Sequence, residues 1–346
     1  MIFDQIMNWF TTDGGTQTSR YINDSFSIAS DVGVKRSENQ DRIALLHVGS
    51  ASRMTGFWCL ALCDGMGGME NGGRAASIAL SAFFEELVRS RRLEPKKRLS
   101  EAAWAANRAV SNIVSGGGST LSALIIERGK VYTVNVGDSR IFARTKTEDS
   151  LVRLTVDDTM EEAYKSSGKG LLQHIGMGDG LVPHIENINS SDYQSFVITS
   201  DGAHLIGEHM LSVLELNAAS SSEYCHRVLQ VARWMGGPDN ASIGTFKVPE
   251  NSPAETENIS TDFSVWSLAG RLRIAWSERQ TYGNRLPEVE KEKPQPSEAA
   301  EPVSEEDGAR RAAKGERKSN PKKRSGSARG KSDEQIELGF SDEDED

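Results

Sequence analysis

The chain has 346 residues, which is enough for one large domain or two ordinary ones with a sizeable core. Its formal net charge is −10 at pH 7, so its field repels phosphates and we expect no nucleic-acid partner. The three cysteines form no C-x-x-C pair, which argues against a disulfide framework or structural zinc and favours a cytoplasmic protein. No run of 18 apolar residues occurs, so we also expect no membrane insertion.

Strand signals and helix signals alternate in blocks along the first 250 residues. Eight short apolar runs bounded by Gly, Asp, Asn or Ser are typical of strands. They cover 25–30, 42–48, 57–63, 119–127, 130–136, 139–144, 194–200 and 240–248. Four longer stretches have helical spacing, at 73–92, 97–115, 207–219 and 222–235. These blocks predict an α+β fold in which two antiparallel sheets pack as a sandwich flanked by pairs of helices.

The composition predicts four regions. Residues 1–23 are read as an N-terminal extension and 24–249 as the main domain. A linker at 250–287 contains an apolar pattern at 265–276, for which we predict an amphipathic helix that docks on the domain, on a partner or on a membrane surface. Residues 288–346 are rich in Glu, Lys, Arg, Ser and Pro, and we expect a disordered charged tail.

Three aspartates lie at the ends or starts of predicted strands. Asp64 and Asp201 each precede a glycine, and Asp239 precedes an asparagine. Any one of them is more simply read as a turn residue, but three together suggest a shared metal site. Oxygen ligands favour Mg²⁺ or Mn²⁺, and two such ions could activate a water for attack on phosphorus. Asp64 would bridge the ions and the Gly65 carbonyl would approach one of them.

A basic residue for the phosphate is supplied by the stretch KRSENQD. Arg36 carries a planar guanidinium that suits two phosphate oxygens. Gln40 and Asp41 are close enough in sequence to order metal-bound waters. Taken alone, this stretch is better read as a solvated polar loop.

Seven short motifs occur in a fixed order over residues 24–249: RSENQD, CDGMGG, GGSTLSA, VNVGDSR, LTVDDT, TSDG and PDNASI. With these motifs the chain resembles the metal-dependent protein phosphatases of the 2C type, and most of all their compact bacterial members. The resemblance implies a sandwich fold and hydrolysis of phosphoserine and phosphothreonine in proteins by a water that bridges two Mg²⁺ or Mn²⁺ ions. It implies that Asp64, Gly65, Asp201 and Asp239 hold these ions and that Arg36 holds the phosphate. Asp138 matches the aspartate that helps bind a third, looser metal. The substrates would be phosphorylated proteins, and the enzyme, a monomer, would oppose a Ser/Thr kinase.

Two other functions stay open at this stage. One is an inactive phosphatase-like module that binds phosphorylated partners, although the metal aspartates that such a module usually loses are all present. The other is a hydrolase of small phosphoesters. The segment between residues 155 and 191 sits where the family carries a mobile flap beside the cleft.

Overall fold

The computed structural model describes residues 2–11, 17–23, 25–49, 56–66, 71–147, 150–165, 170–248 and 262–275. All of them belong to one compact unit, residues 1–281. The predicted disordered tail at 288–346 lies outside the described residues.

Strands and helices follow the predicted blocks. The strands are β1 Gln17–Asn23, β2 Phe26–Asp31, β3 Arg42–Val48, β4 Phe57–Cys63, β5 Gly65–Met66, β6 Gly118–Ser119, β7 Leu121–Glu127, β8 Lys130–Val136, β9 Arg140–Thr145, β10 Leu151–Arg153, β11 His184–Ile188, β12 Tyr193–Thr199, β13 Ala241–Lys247, β14 Asp262–Ser267 and β15 Gly270–Ala275. The helices are α1 Ile2–Phe10, α2 Gly72–Arg89, α3 Pro95–Ile113, α4 Met160–Tyr164, α5 Asp201–His204, α6 Glu208–Leu216 and α7 Ser221–Trp234. All eight predicted strands and four predicted helices are present.

The strands form two large sheets. One has the order β1-β2-β13-β12-β9-β10 and the other β11-β8-β7-β4-β3-β14-β15, with antiparallel pairing in both. The short strands β5 and β6 pair separately. The predicted α+β class with two antiparallel sheets is confirmed.

The alternation of side chains along β4 explains why the sheet is buried on both faces. Leu60 and Leu62 belong to the core between the two sheets. Cys59 and Ala61 point the other way, into a core shared with α2 and α3. Successive strand residues face opposite sides, so an apolar run without polar alternation is typical of a strand covered on both faces. On the far side of the other sheet, α7 packs Val228 and Leu229 against the sheet.

The predicted amphipathic helix at 265–276 is wrong. Residues 265–275 lie in a hairpin in which β14 pairs with both β15 and β3, and residue 276 lies outside the described residues. Phe263 and Val265 are buried on the helix-facing side of the sheet. The apolar residues fit strand alternation as well as helical spacing, and Gly270, with φ of 152°, adopts a conformation that a helix does not use. The glycine was therefore the better signal.

The main unit also extends beyond both ends predicted for it. At the start, α1 buries Ile6 and Phe10 in the core that contains α2. β1 adds an edge strand beside β2. The boundary at 24–249 is too narrow, because α1, β1 and the β14–β15 hairpin belong to the same compact unit. Among the described residues, none of the helices has the length and apolar character needed to cross a membrane.

Candidate active site

The three predicted metal aspartates come from elements at one end of the sandwich. Asp64 directly follows β4 of the seven-stranded sheet, and Asp201 is the first residue of α5, just after β12. Asp239 lies in the turn that precedes β13, the neighbour of β12. Two of these side chains therefore come from adjacent strands of one sheet, and the third from the facing sheet.

Glycines let the loops that carry these aspartates approach each other closely. A Cβ on Gly65 would lie 2.1 Å from the carbonyl oxygen of Gly72 at the start of α2. A Cβ on Gly202 would lie 2.0 Å from the carbonyl oxygen of Asn240. Real Cβ atoms do not tolerate such distances, so only glycine fits at either position. The glycine of each Asp-Gly pair therefore lets the backbone of one loop pack against the backbone of another, which an ordinary turn would not require.

The backbone of Asp64 is fixed by hydrogen bonds with Ser119 and Thr120, at the end of β6. Its N–H donates to Thr120 Oγ1 at 2.9 Å, and its carbonyl accepts from the Thr120 N–H at 2.8 Å. Ser119 Oγ donates to the same carbonyl at 3.0 Å. Ser119 and Thr120 thus have the structural role that their position suggests, and Asp64 is held in a defined place.

Asp41 is buried behind the cleft. Ser200 Oγ donates to Asp41 Oδ2 at 2.8 Å and accepts from the backbone N–H of Ser242 at 2.8 Å. Asp41 Oδ1 is also buried and has no hydrogen-bond partner in the part of the chain that the structure describes. A buried carboxylate oxygen without a donor is costly, and a cation or a water held by a cation would satisfy it.

The carboxylates repel one another. Burial raises the pKa of Asp64 well above its ordinary value, and the charges of four neighbouring carboxylates raise it further. These neighbours are Asp41, Asp201, Asp138 and Asp239. The pKa of Asp201 is raised by burial and then by Asp239, and that of Asp138 is raised to about 6 by burial and then by Asp201. Five acidic side chains named from the sequence therefore share one electrostatic site.

Arg36 brings a guanidinium into contact with this cluster. Its Nη2 donates to Asp239 Oδ2 at 2.7 Å, and this contact raises the pKa of the guanidinium. The Arg36 side chain is 51% exposed. An ion pair with this exposure is weak and can exchange partners. The guanidinium is thus both close to the carboxylates and accessible from solvent.

One residue that sequence reasoning did not single out holds the Arg36 loop in place. The side chain of Asn240 accepts from the Gln40 N–H at 2.8 Å and donates to the carbonyls of Val32 and Glu38, both at 2.9 Å. Asn240 is 4% exposed. It follows Asp239 directly in the motif PDNASI, so only its position beside a predicted ligand could have pointed to it.

The donor set fits hard divalent ions that keep part of their water shell. Within the described ranges, no three His, Cys, Asp or Glu side chains are arranged to hold one ion between them. Mg²⁺ commonly takes one or two carboxylates and fills its other positions with water and substrate oxygens, so it does not need a closed protein cage. Crowded, buried carboxylates with raised pKa values and an unsatisfied oxygen on Asp41 are consistent with this kind of site.

These features define an αββα sandwich with an acidic, metal-type centre at one end. A family model described as protein phosphatase 2C matches residues 34–235, more than half of the chain. The chain belongs to the protein phosphatase 2C family. The matched range includes Arg36, Asp64, Asp138 and Asp201 and ends just before Asp239.

The individual relatives have low sequence identity to this chain, and they are named as protein phosphatases. The chain is 25% identical over 254 residues to the serine/threonine protein phosphatase PstP of Mycobacterium tuberculosis, a match covering 68% of this chain and 47% of PstP. The chain thus spans about half the length of that curated relative. It is 25% identical over 249 residues to protein phosphatase PhpP of Streptococcus pneumoniae, covering 65% of this chain and 97% of PhpP. A solved structure of the PstP catalytic domain in complex with two manganese ions is 24% identical, with a TM-score of 0.54, and covers 68% of this chain and 100% of that one.

Proposed function

We propose that this protein is a metal-dependent phosphatase that hydrolyses phosphoserine and phosphothreonine in other proteins. The observation that carries the proposal is the cluster of five aspartates, next to the exposed guanidinium of Arg36, at one end of a 2C-type sandwich. The names of its relatives PstP and PhpP support the same substrate class.

Asp64, Gly65, Asp201 and Asp239 would hold two Mn²⁺ or Mg²⁺ ions. The structure of the PstP catalytic domain in complex with two manganese ions supports the number and kind of the ions. Asp138, which lies beside Asp201, would help hold a third, weaker ion. When bound, such ions supply an activated water and offset charge on the phosphoryl oxygens. Because the nucleophile would be water, we expect no covalent phosphoenzyme.

Arg36 binds the substrate phosphate in this proposal. Its guanidinium reaches Asp239 and is half exposed, so a phosphate entering from solvent can take over the hydrogen bond that Asp239 now accepts. Asn240, through its hydrogen bonds to the carbonyls of Val32 and Glu38, would keep the Arg36 loop beside the aspartates. Asp41, held by Ser200, would orient water on the inner side of the site.

The biological setting is also a proposal. We infer that the enzyme acts as a monomer in the cytoplasm, in signalling, and that it reverses the action of a Ser/Thr kinase. The three cysteines are free and buried, which fits a reducing compartment. Burial also raises the pKa of the Cys59 and Cys63 thiols, so neither is a plausible nucleophile.

A substrate comparison tests this proposal. The protein with Mn²⁺ is offered phosphoserine and phosphothreonine peptides, nucleotides and sugar phosphates, and kcat/KM is measured for each. We expect kcat/KM to be at least tenfold higher for the phosphopeptides than for the small phosphoesters. When the reaction is run in ¹⁸O-labelled water, we expect the released phosphate to contain ¹⁸O. Preference for the small phosphoesters would identify a small-molecule hydrolase, and tight peptide binding without turnover would identify a binding module.

A further inference from the structure

A cavity of about 540 Å³ lies beside the proposed active site. It is open to solvent, and its walls are Met66, the C-terminal end of α3 with the turn that follows it, and the segment around residue 174. Its lining residues are Met66, Ser111, Val114, Ser115, Gly116, Gly117, Gly118, His174 and Gly176. None of the mechanistic roles proposed above uses it.

The cavity is connected to the metal-site loop by the two-stranded sheet of β5 and β6 and one further β-bridge. Gly65 pairs with Ser119, and Ser119 in turn forms a bridge with Ile175 through hydrogen bonds of 3.0 and 2.8 Å. Neighbouring strands lie about 4.8 Å apart, so Ile175 is about 10 Å from Gly65. An extended peptide advances about 3.3 Å per residue, so the cavity is within about three residues of a phosphorylated side chain at the site.

The walls of the cavity are held in position. Asn107, which is fully buried in α3, accepts from the N–H of Gly176 at 2.8 Å and donates to the carbonyl of Gly178 at 2.6 Å. The imidazole of His174 lies directly over Gly118, where a Cβ would be 2.4 Å from His174 Cδ2. The cavity is therefore formed before any ligand arrives, and a bound residue would not have to order it.

The lining chemistry indicates what the cavity accepts. Among the described residues that line it there is no carboxylate, lysine or arginine, and His174 is the one titratable side chain of that set. Burial lowers the pKa of His174, so at neutral pH its ring offers one hydrogen-bond donor and one acceptor without charge. A charged side chain would lose hydration there and find no counter-charge. An uncharged side chain could use Met66 and Val114 as apolar walls and hydrogen-bond to the imidazole.

We propose that this cavity is the subsite for a peptide residue near the phosphorylated Ser or Thr, that it selects an uncharged side chain, and that His174 is its specificity-determining residue. The inference rests on the proposed phosphatase function and adds a substrate preference to it. It places recognition of the substrate sequence on α3 and the segment around residue 174, apart from the carboxylate cluster.

Phosphothreonine peptides test this subsite. Each of the three positions on either side of the phosphothreonine is changed in turn to Asn, Asp or Lys, and kcat/KM is measured with Mn²⁺. Asn and Asp have nearly the same shape, so the comparison isolates charge. We expect one position at which Asp and Lys both lower kcat/KM at least tenfold relative to Asn.

Two sets of variants connect that preference with the cavity. Ser115→Trp places an indole in the cavity. At the selected position it should bring the ratio of kcat/KM for the Asn peptide to kcat/KM for the Asp peptide close to one. Asn112→Trp adds the same group to the exposed surface of α3, outside the lining, and should keep the ratio. His174→Ala should reduce the ratio, and His174→Gln, which retains a donor and an acceptor, should restore most of it.

The failures of the two proposals are distinguishable. Release of phosphate from no phosphopeptide at all would overturn the proposed function and this subsite with it. Turnover of phosphopeptides with no discriminating position, or with a ratio that is the same in Ser115→Trp and Asn112→Trp, would overturn the subsite alone.

Discussion

Replacement of Asn240 by Ala tests how the Arg36 loop is positioned. The side chain makes three hydrogen bonds to backbone groups of residues 32, 38 and 40, and it is 4% exposed. A hydrogen bond of this kind contributes about 1 kcal/mol net, so the change should lower the free energy of unfolding by about 3 kcal/mol. For a domain of this size the midpoint of thermal unfolding should fall by about 6–12 °C.

The same change should reduce catalysis more than it reduces folding. A displaced Arg36 binds the phosphate less well, so kcat/KM for phosphopeptides should fall about 10- to 100-fold at temperatures where the variant is folded. Circular dichroism gives the unfolding midpoint, and phosphate release gives kcat/KM. Asn217→Ala is the matched control, because Asn217 is exposed and its amide donates to one backbone carbonyl at the end of α6. If Asn240→Ala behaved like Asn217→Ala in both assays, Asn240 would not position the loop.

Three further predictions concern the metal cluster and the domain boundary. Asp239→Asn should weaken Mn²⁺ binding, measured by calorimetry, at least tenfold and should lower kcat at least 100-fold. Asp192→Asn, at an exposed position, is the control. If both variants bound Mn²⁺ and turned over substrate equally well, the assignment of Asp239 as a ligand would be refuted. Because the folded-state pKa of Asp138 is raised to about 6, its contribution to the stability of the metal-free protein is present at acidic pH and is lost as pH rises through about 6. The unfolding midpoint of the metal-free wild type should therefore fall between about pH 4 and pH 6 more steeply than that of Asp138→Asn, and parallel curves would contradict this. A chain ending at Leu286 should keep its turnover of p-nitrophenyl phosphate. A chain ending at Val248 loses the β14–β15 hairpin, whose first strand is buried, and should unfold at least 10 °C lower. Equal unfolding midpoints for the two chains would show that the hairpin is dispensable.

The sequence was sufficient to predict eight of the thirteen strands of the two large sheets, and the edge strands β1, β10 and β11 were not among them. Runs such as 57–63 are continuous, apolar and short, and their ends are marked by Asp or Gly, so both the type of element and its limits are encoded locally. The hairpin of β14 and β15 was not predicted, because its apolar residues satisfy two periodicities at once. Pairing with β3, which is distant in sequence, selects the strand conformation.

The acidic residues of the candidate site could be singled out from the sequence, but the residues that hold them and the Arg36 loop in place could not. Asp64, Asp201 and Asp239 share a local context that repeats along the chain, which a reader of the sequence can recognise. Asn240 and Ser200 act through contacts with residues about 160 to 210 positions away, and no local pattern records such contacts. The cavity beside Met66 is likewise formed by three separate segments and is visible only in the fold.

Dependence of phosphopeptide hydrolysis on added metal tests the central claim most directly. The protein is first stripped of metal with a chelator, and phosphate release from a phosphothreonine peptide is followed as Mn²⁺ is titrated back. We predict no release in the presence of the chelator and a saturable rise with Mn²⁺. Undiminished release in excess chelator, or no release at any Mn²⁺ concentration from protein shown to be folded, would contradict a metal-dependent phosphatase built on this cluster of aspartates.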